Sequence, residues 1–180
     1  MTAPLFLTLV RIVAIPILVI VLISDFPGKE WTSFIIFVLA SLTDTFDGFF
    51  ARRSKQITVL GQLLDPTADK LLVASVLICL VGTGKVPAWM AVIIIGREVA
   101  VTGFRAMASS KGIHISASFL GKVKMTLEAI TIALLLLGEE ILGALYFLAV
   151  VGLWLTLLVV ILSAVEYYVK YGPSVISGRT

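Results

Sequence analysis

Apolar residues fill six long stretches of this chain, and polar or turn-forming residues interrupt them at regular intervals. Each stretch has roughly the 20 to 25 residues that an α-helix needs to cross the hydrocarbon core of a bilayer. Glycine, proline or charged residues stand in all five connections. The pattern predicts an all-α, polytopic membrane protein whose six helices form a single bundle and a single domain, residues 1–180. The predicted helices are 4–24, 31–52, 58–81, 86–109, 118–137 and 141–168.

The composition agrees with this prediction. Hydrophobic residues make up 59% of the 180 residues, charged residues make up 14%, and the mean hydropathy is +1.11. Soluble domains are about half apolar and about one quarter charged. The single cysteine, Cys79, excludes an intrachain disulfide and disfavours a structural zinc site. The net charge of +3 is modest, and no basic surface for nucleic acid is indicated.

Alternate connections differ in charge, which predicts the orientation. By the positive-inside tendency, both termini and the connection between the second and third helices are cytoplasmic. Aromatic residues near the helix ends, including Tyr167, Tyr168, Trp31 and Trp89, fit interfacial anchors. The basic residues on the predicted cytoplasmic side are Arg52, Arg53, Lys55, Lys111, Lys122, Lys124, Lys170 and Arg179.

Four aspartates fall inside two adjacent apolar stretches, where an ionised side chain is costly and normally marks a functional site. Asp44 and Asp47 are three residues apart, so they share a face of the second predicted helix. Asp65 and Asp69 are four residues apart on the third. Two antiparallel helices joined by a short loop would set these acidic stripes against each other. The pattern predicts a buried metal-binding pocket.

The residue types in this pocket favour a hard divalent cation and a phosphorylated ligand. Carboxylates without nearby sulfur or histidine are typical of Mg²⁺ or Mn²⁺ sites, and two such ions can clamp a phosphoryl group. Gly48 and Gly61 lie on the acidic faces, where a ligand can approach the backbone; close helix packing is the alternative. Arg52, four residues after Gly48, can reach phosphate oxygens at the pocket mouth.

The two acidic stripes belong to one motif. It reads Asp44-Thr-Phe-Asp47-Gly48-Phe-Phe-Ala51-Arg52, then eight residues, then Gly61-Gln-Leu-Leu-Asp65-Pro-Thr-Ala-Asp69. At every specified position it resembles the signature of the CDP-alcohol phosphatidyltransferase family. The resemblance implies a six-helix membrane enzyme, usually a homodimer, that moves a phosphatidyl group from a CDP-linked lipid to an alcohol and releases CMP.

The same resemblance implies a role for each residue of the motif. Asp44, Asp47 and Asp65 would bind the metal ions, and Asp69 would contribute to metal binding and serve as the catalytic base. The positions that match the nucleotide and diphosphate site are Gly48, Ala51, Gly61 and Arg52.

A second polar cluster addresses the acceptor. Arg97 and Arg105 are eight residues apart, about two helical turns, and so share a face, while Lys122 opens the next predicted helix. Two guanidinium groups and an ammonium converging on one cavity would bind a dianionic phosphate. Three roles stay open: headgroup binding or phosphate binding for Lys124, orientation of an arginine for Glu98, and ion pairing or cavity lining for Glu128.

Around this cluster, the stretches from Gly96 to Arg105 and from Gly121 to Thr126 resemble bacterial family members that use sn-glycerol 3-phosphate. The implied reaction joins CDP-diacylglycerol to the C1 hydroxyl of that acceptor at the cytoplasmic face of a bacterial inner membrane. The products would be phosphatidylglycerophosphate and CMP. The alternatives are a relative that uses inositol phosphate or another alcohol, a divalent-cation transporter, and a non-catalytic membrane protein.

Overall fold

Six α-helices and one 3₁₀ helix make up the part of the chain that the computed structural model describes. That part is residues 3–54, 59–112, 115 and 118–177, with side chains over 8–43, 64, 66–112, 115 and 118–173. No strand occurs in these ranges, so the all-α prediction is confirmed. The helices are α1 (Ala3–Ile23), α2 (Lys29–Ser54), α3 (Val59–Gly82), α4 (Ala88–Ser110), α5 (Phe119–Leu142), the 3₁₀ helix Gly143–Tyr146, and α6 (Phe147–Ser177).

The turn between α5 and α6 lies later than predicted. The sequence places it at residues 138–140, but α5 continues to Leu142 and α6 begins only at Phe147. Gly138 does leave the helical region, with φ 71° and ψ 178°, yet the chain resumes the helix directly after it. The reversal follows Gly143, which also has a positive φ of 52°. A glycine followed by two glutamates is therefore a kink here rather than a loop.

Helix α1 holds α2 and α3 together, because it packs along both of them, whereas those two helices contact each other at few described positions. Helix α5 packs against α6 and α2, and α4 packs against α3 and α6. The common core is aliphatic and includes Leu72, Leu77, Leu80, Leu135 and Leu136, all buried. This arrangement leaves α3, α4 and α5 around one polar region, which is described below.

The close packing of α5 against α6 depends on a glycine, Gly152. A Cβ placed on Gly152 would lie 2.7 Å from Thr131 Oγ1. The Thr131 hydroxyl is 3.1 Å from that of Thr156, and both residues are buried. Small residues allow helices in a membrane-type bundle to approach closely, and paired hydroxyls satisfy each other across the seam.

By length and composition, one helical stretch in the described ranges, residues 119–173, is long and apolar enough to cross a membrane. A shorter apolar helix covers Thr8–Ile23. Large apolar side chains also point outward on several helices, among them Ile20, Ile78, Val92 and Val169.

Candidate active site

The backbone of α2 runs through Asp44, Asp47, Gly48, Ala51 and Arg52, and that of α3 runs through Gly61 and Asp65. The side chains of these seven residues lie outside the described part of the chain. The prediction that the acidic stripes face each other therefore stays a prediction. Helical backbone at both places agrees with the three- and four-residue spacings that put the acids of each stripe on one face.

Asp69 is the one predicted metal-site residue whose side chain is described. It is partly buried on α3 and borders two cavities. The first, called here the polar cavity, has a volume of about 290 Å³ and lies among α3, α4, α5 and α6. The second, called the apolar cavity, has a volume of about 400 Å³ and lies among α2, α3 and α5. Asp69 and Met125 line both, so the two cavities adjoin at these residues.

The structure brings the three predicted phosphate-binding residues together. Arg97, Arg105 and Lys122 all line the polar cavity, although they come from two different helices. Arg105 and Lys122 are exposed, and Arg105 makes one long hydrogen bond, 3.5 Å, to the carbonyl of Ile115. Most of their donors thus remain available to a ligand in the cavity, where an anion would meet positive charge from two sides.

Arg97 is held more tightly than its neighbours. Its Nη1 donates to Glu98 Oε1 at 2.6 Å, and its Nη2 donates to Ser163 Oγ at 2.8 Å. Its buried Nε has no partner among the described residues. The expectation that Glu98 orients an arginine is confirmed for Arg97. Ser163, on α6, is a contact that the sequence did not indicate.

A buried ionic cluster continues from Glu98. Lys124, only 2% exposed, donates to Glu98 Oε1 at 2.7 Å and forms a second ion pair with Glu128 Oε2. Glu128 is also buried and lines the apolar cavity. Headgroup binding by Lys124 is therefore wrong, since its ammonium is enclosed by protein and already neutralised. Both roles left open for Glu128 are correct: it pairs with a base and lines a cavity.

Two further buried residues, Arg11 and Tyr167, were not assigned to the site by sequence reasoning. Arg11, on α1, is completely buried and donates from Nε to the carbonyl of Ala40 at 3.2 Å and from Nη2 to Thr43 Oγ1 at 3.4 Å. Arg11 thus links α1 to α2 by hydrogen bonds in the turn before Asp44. A charged residue within an apolar stretch was the available signal.

Tyr167 was predicted to be an interfacial anchor, and this is wrong. The residue is buried, lines the polar cavity, and its hydroxyl accepts a hydrogen bond from the backbone N–H of Ser118 at 3.4 Å. Tyr168, Trp31 and Trp89 are exposed, as anchors should be. Neighbouring tyrosines at a helix end give no sequence signal that separates the inward one from the outward one.

The residues of the predicted metal site fit a hard divalent cation by their chemistry. The donor set is entirely carboxylate, and Asp69 places one such group where the two cavities meet. Within the described side chains, no group of three or more His, Cys, Asp or Glu residues could hold a metal ion. Asp44, Asp47 and Asp65 fall outside that search.

Comparison with known proteins agrees with the motif. The family model described as CDP-alcohol phosphatidyltransferase matches residues 1–164. The chain is 37% identical to the CDP-diacylglycerol--glycerol-3-phosphate 3-phosphatidyltransferase of Bacillus subtilis (strain 168), over 91% of this chain and 92% of the relative. It is 34% identical to the protein of the same name from Rickettsia bellii (strain RML369-C), over 92% of each.

A third relative, the probable phosphatidylglycerophosphate synthase of Mycobacterium tuberculosis (strain ATCC 25618 / H37Rv), is 35% identical over 91% of this chain and 78% of its own length. The matches extend well beyond the aspartate motif and include the helices that carry Arg97, Arg105 and Lys122. The chain belongs to the CDP-alcohol phosphatidyltransferase family.

Proposed function

We infer that this chain transfers the phosphatidyl group of CDP-diacylglycerol to sn-glycerol 3-phosphate, giving phosphatidylglycerophosphate and CMP. Relatives of nearly the same length that carry this activity in their names support the inference. The structural observation that carries it is the convergence of Arg97, Arg105 and Lys122 on the cavity that Asp69 also lines. A phosphorylated acceptor needs such cations, and its attacking hydroxyl needs a nearby base.

The acceptor phosphate is bound by Arg105, Lys122 and Arg97. The two exposed side chains make the first contacts, and Arg97 completes the site from a fixed position, because Glu98 and Ser163 hold its guanidinium group. Holding the phosphate on these cations keeps the C1 hydroxyl within the cavity that Asp69 also lines. Positioning of this kind converts a bimolecular encounter into a near-unimolecular step.

Asp69 accepts the proton of the C1 hydroxyl as that oxygen attacks the lipid-linked phosphorus, and CMP leaves. The motif resemblance supports this role, and so does the place of Asp69 at the junction of the two cavities. Mg²⁺ or Mn²⁺, two ions held by Asp44, Asp47, Asp65 and Asp69, would neutralise the diphosphate charge that builds up on the leaving group.

The nucleotide end of the lipid substrate lies against the motif residues of α2 and α3. Gly48, Ala51 and Gly61 leave room for the cytidine, and Arg52 contacts the diphosphate. The support for these four assignments is the match of each position to the family motif.

The diacylglycerol part of the donor lies in the apolar cavity. Phe37, Val38, Leu42 and Val73 form much of its wall. Hydrocarbon chains would bury apolar surface there while the phosphate stays beside the carboxylates. The same cavity thus suits a lipid tail next to a reacting headgroup.

We place all six helices across a bacterial inner membrane, with both termini and the site on the cytoplasmic side. The outward apolar side chains and the charge difference between alternate connections support this placement. It gives glycerol 3-phosphate direct access from the cytoplasm. A homodimer is part of the proposal, on the strength of the family resemblance.

The test is acceptor-dependent CMP release by the purified chain in vesicles that contain CDP-diacylglycerol and Mg²⁺. We expect release with glycerol 3-phosphate and none with inositol phosphate. Release with inositol phosphate alone would assign the chain to another acceptor. Movement of divalent cations across the vesicle membrane without CMP release would instead indicate a transporter.

The phosphate site is tested by comparing two exposed lysines. Lys122→Met should raise the KM for glycerol 3-phosphate roughly 10- to 100-fold, the usual loss for a hydrogen bond to a charged group, and leave the KM for CDP-diacylglycerol unchanged. Lys170→Met is the control, because Lys170 lies outside the cavity, over the ring of Tyr171. Equal effects of both variants would remove Lys122 from the site.

A further inference from the structure

Glu128 carries a carboxylate oxygen with no partner in the described part of the chain. Its Oε2 is paired with Lys124, but its Oε1 is buried and makes no hydrogen bond. The residue is 4% exposed and lines the apolar cavity. A buried acceptor without a donor is costly, and native proteins rarely leave one without a reason. A substrate donor that enters the cavity would remove that cost.

Lys124 links Glu128 to a residue of the polar cavity. Lys124 lies between Glu98 in the polar cavity and Glu128 in the apolar cavity, and it pairs with both. Asp69 lines both cavities, so it shares the apolar cavity with Glu128. The proposed base and the carboxylate with an unpartnered oxygen therefore border one cavity.

Glycerol 3-phosphate has a second hydroxyl, on the carbon next to the attacking one. With the phosphate on the cations and the C1 hydroxyl at Asp69, the central hydroxyl also enters the junction of the two cavities. Glu98 is less suited to receive it, because its Oε1 already accepts from Arg97 and Lys124. Among the described residues that line the two cavities, Glu128 Oε1 is the buried side-chain oxygen without a donor.

We propose that Glu128 accepts a hydrogen bond from the central hydroxyl of the acceptor and so determines the specificity of the site. This rests on the proposed function. A carboxylate that accepts from a substrate hydroxyl disfavours an analogue without it, because the acceptor is then left unpaired. It also disfavours a carbonyl at that carbon, because two acceptors would face each other.

The experiment measures ratios of kcat/KM within each enzyme, which are independent of the fraction of protein that is folded. The acceptors are glycerol 3-phosphate, its 2-deoxy analogue (the monophosphate of propane-1,3-diol) and its 2-keto analogue (dihydroxyacetone phosphate). The wild-type chain should prefer glycerol 3-phosphate over each analogue by roughly 10- to 100-fold, the size expected of one hydrogen bond to a charged group.

Two variants shift these ratios in different ways. Glu128→Met removes the acceptor, so the preference over the 2-deoxy analogue should fall to near unity. Glu128→Gln keeps the shape, and Lys124 would hold its amide oxygen, leaving an NH₂ donor in the cavity. The preference over the 2-keto analogue should then fall roughly 10-fold or more. Glu166→Met and Glu166→Gln are the controls, because Glu166 also has a buried oxygen without a described partner but lines neither cavity.

Three results would overturn the proposal: a wild-type enzyme that does not discriminate, ratios that stay at the wild-type value in both Glu128 variants, or equal shifts in the Glu166 variants. If Glu128→Met yields no active protein, the 2-keto ratio of Glu128→Gln decides alone. Failure of the proposed function is distinguishable, because the wild-type chain would then release no CMP with glycerol 3-phosphate.

Discussion

The two ends of the helix bundle both combine acidic and basic side chains with a cavity, but they use the charges differently. At the end that carries the site, Lys124 is buried between two carboxylates, 2.7 Å from Glu98. At the opposite end, a cavity of about 410 Å³ is lined by Lys29, Lys85 and three glutamates. The described ion pair there joins Lys29 to Asp25 at 3.1 Å, and the Asp25 side chain is 98% exposed.

The pKa values of the two lysines at the opposite end shift in opposite directions for separate reasons. The hydrogen bond to Asp25 raises the pKa of Lys29, while burial lowers the pKa of Lys85. Exposed pairs of this kind contribute little to stability, whereas a buried ion stays charged only with close partners. Both ends carry charged side chains, but only the buried ones form a site. The burial of a charge, rather than the number of charges, therefore distinguishes the two ends.

The largest expected effect is that of Asp69→Asn. The variant keeps the shape of the side chain but removes the base, so turnover should fall about 10²- to 10⁴-fold, while nucleotide binding persists. CMP release and binding of the soluble nucleotide CDP measure the two properties. Asp25→Asn, at the opposite end, is the control and should keep full turnover. Loss of both properties with an intact fold would mean that Asp69 mainly holds metal.

The next largest effect is expected from Lys124→Met. It leaves Glu98 and Glu128 buried without their cation, a change that typically costs about 3–5 kcal/mol in the free energy of unfolding. Unfolding in detergent measures it. Lys29→Met removes the exposed pair and should cause no measurable loss. Adding Glu98→Gln and Glu128→Gln to Lys124→Met should recover part of the stability. A triple variant that is no more stable than Lys124→Met would contradict the ion-pair account.

The smallest effect tests the kink in α5 at the opposite end. Gly138→Ala forces a side chain into a backbone with φ 71°, which costs about 1–2 kcal/mol, and its Cβ would lie 2.7 Å from Lys85 Nζ. The lysine can move, so the backbone strain should dominate. Gly103→Ala, in α4 with open space around it, should instead stabilise the helix by about 0.5–1 kcal/mol. Equal melting temperatures for Gly138→Ala and Gly103→Ala would contradict the predicted backbone strain at residue 138.

Much of this fold could be predicted from the sequence because apolar length and turn residues are local signals. The ends of α1 to α4 lie within two residues of prediction. The end of α5 was missed because a kinked glycine and a loop glycine look alike in sequence. The grouping of Arg97, Arg105 and Lys122 was predicted from helical spacing and charge, and it is confirmed as the lining of one cavity.

The partners of the buried charges could be predicted only in part. Lys124 and Glu128 are four residues apart, so their pairing is local, but Glu98 and Ser163 come from other helices. The inward face of Tyr167 likewise depends on how α6 packs. Such contacts follow from tertiary structure, and no spacing in the sequence encodes them.

The glycine at position 152 has a mechanical consequence for the whole enzyme. Because Gly152 leaves room for Thr131, and the Thr131 hydroxyl bonds that of Thr156, α5 and α6 pack closely against each other. That helix pair carries Lys122, Lys124, Glu128 and Ser163, so the close seam sets the spacing between the α5 and α6 residues of the site. We therefore expect any widening of the apolar cavity for bulky lipid tails to come from movement of α2, which faces this helix pair across the cavity.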